Sequence, residues 1–75
     1  MLDAGVLSVA YLQYLTLLWL DPRLTGANYG LGLTCARLGQ RDQAIQAFER
    51  FVQAEPNSPY AENARQQLNQ LRRPQ

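Results

Sequence analysis

The side chains able to do covalent or acid–base chemistry are few in this chain. One cysteine, Cys35, and no histidine stand among its 75 residues. A Ser/His or Cys/His nucleophile pair cannot be assembled from such a set. The thiol and imidazole groups that hold transition metals are nearly absent as well. Asp42, Glu49 and Glu62 are scattered and form no general acid–base pair. Gly26, Gly30 and Gly32 lie close together, but no strand precedes them, so they do not read as a phosphate-cradling loop. All seven basic residues are arginine, and the formal charge is only +1. That balance offers no strong field to steer nucleic acid. Arg72-Arg73 suits a helix end, where cations complement the carbonyl dipoles, better than a nucleic-acid patch. The expectation is a chain that is not an enzyme, with no cofactor, no metal, no nucleic acid and no small-molecule substrate. A lone cysteine cannot form an internal disulfide and fits a reducing, intracellular compartment. Cys35 itself reads as a small core residue.

The elements that must position these residues are helices. Punctuation and periodicity predict four, over about 4–20, 25–38, 42–54 and 59–72. Asp3 and Asp21-Pro22 bound the first, since a residue before proline is driven out of helical backbone. Thr25 reads as the cap of the second and Gly39 as its left-handed stop. Glu55-Pro56 closes the third. Ser58 can cap the fourth, with Pro59 at its first position. Ala44, Ile45, Phe48, Phe51 and Val52 follow helical spacing, as do Ala61, Ala64, Leu68 and Leu71. The connections are short, so neighbouring helices should run antiparallel. The fold class expected is all-α, in one domain spanning 1–75.

The chain also matches itself at an offset of 34 residues, pairing Ala10 with Ala44, Tyr14 with Phe48 and Pro22 with Pro56. A fixed period of that kind marks a repeat architecture. The segment Thr25 to Ser58 resembles one tetratricopeptide repeat. Leu31-Gly32 matches that family's Leu-Gly pair, Ala44 and Phe48 its small residue and aromatic, Pro56 its closing proline. Asn28 stands where the family often has Trp, and Cys35 where it has Tyr. The resemblance implies a short right-handed solenoid fragment. Residues 1–24 would supply half a repeat, 25–58 a full one and 59–75 a capping helix, its residues shifted by three. Gly32 and Ala44 would let two backbones approach, with Phe48 filling the space beside them.

The repeat carries its own control. Val9, Leu12, Leu15 and Trp19 occupy positions that are Gln43, Gln46, Glu49 and Gln53 one period later. These four apolar residues add a stripe to the inward face expected from Ala10, Tyr14, Leu17 and Leu18. A helix apolar nearly all round is buried in protein or in lipid. Three readings follow: contact with a protein partner or a second copy, insertion in a membrane, or a secretory signal. The uncharged run Ala4 to Leu20 spans ~26 Å as a helix, short of a ~30 Å hydrocarbon core. Ser8 and Gln13 suit lipid poorly, and Asp3 sits where a signal would carry basic residues. The reading adopted is a non-catalytic interaction module or adaptor. Its alternative is an accessory subunit of a membrane-protein complex, docked by this helix.

The resemblance also implies a concave face lined by Tyr29, Leu33 and Arg37, joined by Gln66, Gln70 and Arg73. Tyr29 would be available to stack, and Arg37 and Arg73 to meet a carboxylate.

Overall fold

Local chemistry at the turns sets where each helix stops. A computed structural model describes residues 4–73, apart from the Ala4 side chain. Helix α1 runs Ala4–Leu20, α2 Gly26–Arg37, α3 Arg41–Ala54 and α4 Ala61–Arg72. The described residues are all-helical, with no strand among them. Asp3, expected at the head of the first helix, lies outside them.

After α1, the Asp21 carboxylate accepts from the Arg23 backbone N–H at 3.0 Å, and the Leu24 N–H returns to the Asp21 carbonyl at 3.0 Å. Pro22 cannot prolong the helix across this turn. After α2, Gly39 takes φ 78°, and the Gln40 N–H reaches back to the Cys35 carbonyl at 2.8 Å. That is a Schellman closure, in which a left-handed residue lets the chain satisfy the last free carbonyls.

Two starts differ from expectation. Thr25 is not a side-chain cap: its hydroxyl donates to Glu55 Oε2 at 2.9 Å, tying the start of α2 to the end of α3. Pro59 is not the first helical residue. The Tyr60 N–H donates to the Ser58 hydroxyl at 3.2 Å, and the Ala61 N–H to the Ser58 carbonyl at 3.0 Å. Ser58 to Tyr60 therefore form a turn, and α4 begins at Ala61.

Each helix packs against the next. In the α2/α3 pair, Gly32 lies against the Phe48 ring while Cys35 Sγ reaches Gln43 Oε1 at 3.9 Å. One helix thus climbs as the other descends. A Cβ at Gly32 would come within 2.8 Å of the Phe48 ring, so the absence of a side chain is what admits the aromatic. Gly30 does the same for α1, where a Cβ would sit 2.5 Å from Tyr14. Leu31, Cys35, Ala44, Ala47, Phe48, Phe51, Ala61, Ala64 and Leu68 form the buried core. Burial of Cys35 pushes its thiol pKa up, because the thiolate loses its hydration there.

The three-residue shift expected for the last helix is not what burial shows. Asn28, Leu31 and Cys35 are buried in α2, and Ala61, Ala64 and Leu68 in α4, with the same spacing 33 residues on. The Ser58 turn absorbs the irregularity. At its far end α4 is closed by α3: the Arg41 guanidinium donates to the Leu71 carbonyl and, at 2.9 Å, to that of Arg73.

Candidate protein-docking surface

Helix α1 touches the rest of the fold through a narrow stripe. Leu7 is buried, and Tyr11, Tyr14 and Leu18 pack against the core. These lie at i, i+4, i+7 and i+11, one side of a helix. Ala10 is half-buried beside them. Leu17, expected inward, is 43% exposed. The repeat explains why. Its counterpart Phe51 is buried beside Tyr29 of α2, at 5.2 Å between ring centres. Leu17 has no such hairpin partner among the described residues, so α1 leaves uncovered the side that α3 buries.

The other face of α1 carries the four stripe residues. Trp19 is 83% exposed, Leu12 61%, Val9 55% and Leu15 39%. Val9, Leu12 and Leu17, with Gln13 and Thr16, line a shallow open hollow of about 460 Å³. The Thr16 hydroxyl is already spent on the Leu12 carbonyl at 2.8 Å, so it adds little free polarity. No acidic or basic residue occurs from Ala4 to Leu20. By contrast, the matching positions Gln43, Gln46, Glu49 and Gln53 of α3 are polar, and Glu49 is paired with Arg72 of α4. Helix α1 thus presents an exposed apolar face where the later copy is polar. No helix of the described residues is long and apolar enough to cross a membrane.

Between α1 and α3 lies a cleft floored by α2. Tyr11 and Leu15 face Gln43, Gln46 and Arg50 across it. Leu15 thus borders both the cleft and the outward face.

The second candidate surface joins α2 to α4. Tyr29, Leu33 and Arg37 share one side of α2, and Gln66 and Gln70 one side of α4, with Arg73 in extended backbone just past the helix end. The two stripes meet where the Tyr29 hydroxyl donates to Asn63 Oδ1 at 2.7 Å. Tyr29 is not a free ring. It lies 5.2 Å from Tyr60 and from Phe51, and meets Phe48 edge-on at 6.0 Å. Its work is to knit α4 to the hairpin. Leu33 is half-buried against the core. Arg37, Gln66, Gln70 and Arg73 are exposed, and the Arg73 carbonyl is held by Arg41. Helical periodicity gave no sign of the Tyr29–Tyr60–Asn63 cluster, because it joins α2 to the start of α4 with all of α3 between them in the chain.

Among the described residues, no group of His, Cys, Asp or Glu is placed to hold a metal ion. No family model, curated protein or solved structure matches this chain.

Proposed function

We propose that this chain is a tetratricopeptide-like, non-catalytic interaction module whose α1 outer face docks protein. The carrying observation is the exposure of Val9, Leu12, Leu15 and Trp19 where the repeat one period later is polar. Fully burying side chains of this size contributes ~1.5–3 kcal/mol each, so covering the face supplies a substantial drive to associate. The Gly32–Phe48 contact and the fully buried Ala44 support the repeat reading, since they occupy its close-approach positions. The Arg37, Gln66, Gln70 and Arg73 surface is a secondary polar site, suited to a carboxylate.

A second reading is favoured by the absence of charge along α1: an accessory subunit seated against integral membrane proteins. One experiment separates the two. A photo-reactive phenylalanine analogue in place of Trp19, activated in the expressing cell, should label protein. Changing Leu12→Gln and Leu15→Glu in the same chain should abolish the labelling. Adducts with lipid or with integral membrane proteins would move the assignment to the membrane reading. Labelling that survives the two substitutions would place the contact elsewhere, on the α2/α4 surface.

A further inference from the structure

We propose that Arg50 and Asn28 form a binding site for a carboxylate, in the hollow where α1 ends and α2 begins. The site is separate from the outer face of α1 and independent of what that face docks. Leu18, Pro22, Asn28 and Arg50 line the hollow, which encloses about 290 Å³. That is the small end of the range for ligand sites, with room for a side chain or a chain end rather than a cofactor.

The decisive residue is Asn28. It is 6% exposed, and its Oδ1 is shielded from solvent with no hydrogen-bond partner among the described residues. Its Nδ2 has no partner there either but is not shielded in the same way, so the hollow meets the donor end of the amide. A buried amide left unpaired is destabilising, and the fold does not require one here. The equivalent position in α4, 33 residues on, is Ala61, which is also buried. The apolar walls do recur: Leu18 and Pro22 return as Val52 and Pro56 one period of 34 later. Arg50 has only Thr16 as its counterpart one period earlier. The frame of the hollow belongs to the repeat, whereas its polar pair does not.

Charge selects the ligand. Arg50 is the one charged residue among those lining the hollow, and it makes no ion pair or hydrogen bond among the described residues. The neighbouring carboxylates are already engaged, Asp21 by Arg23, Glu49 by Arg72 and Glu55 by Thr25. A guanidinium beside an amide NH2 offers one positive charge and two sets of donors. That matches a planar monoanion with two acceptor oxygens, a carboxylate. A phosphate monoester, at about two negative charges, is poorly matched by one guanidinium. Leu18 and Pro22 suit the alkyl group that carries the carboxylate. Arg50 also borders the α1/α3 cleft with Tyr11 and Leu15, so a bound chain can leave the hollow along an apolar wall.

The test is an NMR titration of the isotope-labelled full chain. The probes are N-acetyl-leucine, whose carboxylate ends a chain, the α-amide of N-acetyl-glutamate, whose carboxylate is a side chain, and the neutral N-acetyl-leucine amide. At least one of the two carboxylates should move the Asn28 side-chain NH2 and Arg50 Nε–H signals saturably, with a dissociation constant on the order of 1 mM. Which of them binds tells a chain end from a side chain. The neutral amide should leave both signals in place. Arg50 is exposed, so Arg50→Gln keeps the fold, and it should weaken binding about tenfold or more, as loss of a charge-assisted pair does. Arg37→Gln combined with Arg73→Gln should leave binding unchanged. No saturable shift from either carboxylate, or an equal shift from the neutral amide, overturns the site. Equal binding of inorganic phosphate overturns the carboxylate assignment. Binding lost in the Arg37 and Arg73 variant but kept in Arg50→Gln moves the carboxylate to the α2/α4 surface and overturns the proposal.

Discussion

At the residue scale, the glycines divide sharply by what surrounds them. Gly32 and Gly30 accommodate rings, whereas nothing lies within 4 Å of a Cβ at Gly26. Gly32→Val should therefore destabilise the fold by roughly 1–3 kcal/mol, the usual cost of overpacking. Gly26→Ala should be neutral or stabilising by up to about 1 kcal/mol, since it only restricts the unfolded chain. Urea midpoints of the two variants check this contrast. Asn28 gives a second prediction. It is 6% exposed, and its Oδ1 has no hydrogen-bond partner among the described residues. A buried polar atom left unpaired costs about 1–3 kcal/mol. Asn28→Leu, which keeps the branched side-chain skeleton without its polar atoms, should raise the thermal midpoint. A fall would show that the amide is satisfied by something it meets in solution.

At the element scale, what sequence could disclose depended on how local the cause was. Asp21-Pro22, Gly39 and Glu55-Pro56 end helices through their own backbone preferences, and all three ends were legible. Pro59 misled because the Ser58 turn competes with helix start, and both use the same residue types. Thr25 misled for a tertiary reason: Glu55, far along the chain, takes its hydroxyl. Leu17 reads as inward by register, yet a residue is buried only if another element covers it. The outward stripe was legible because the repeat supplied a polar comparison. Tyr29 was not, since its neighbours Tyr60 and Asn63 arrive with α4. The Thr25 assignment is testable as a coupling. Thr25→Val should cost on the order of 1 kcal/mol, and the cost should vanish in a Glu55→Ala background, which leaves the hydroxyl no acceptor there. A cap would lose the same amount in either background.

At the scale of the whole molecule, the four helices stack in chain order, and the burial is uneven. α3 lies between two neighbours and contributes Ala44, Ala47, Phe48 and Phe51 to the core. α1 stands at one end with a single neighbour and an apolar outer face. α4 stands at the other end and is polar outside, with Glu62, Arg65, Gln66 and Gln70 exposed. One outer helix of the described stack is thus polar on its exposed side and the other apolar, the side we propose docks protein. That asymmetry is the central claim, and Trp19 reports on it directly because it is the only tryptophan and lies within the face concerned. Its fluorescence should be that of a water-exposed indole in the dilute chain. Emission already at short wavelength in that dilute chain would contradict the account, since the chain itself would then cover the face.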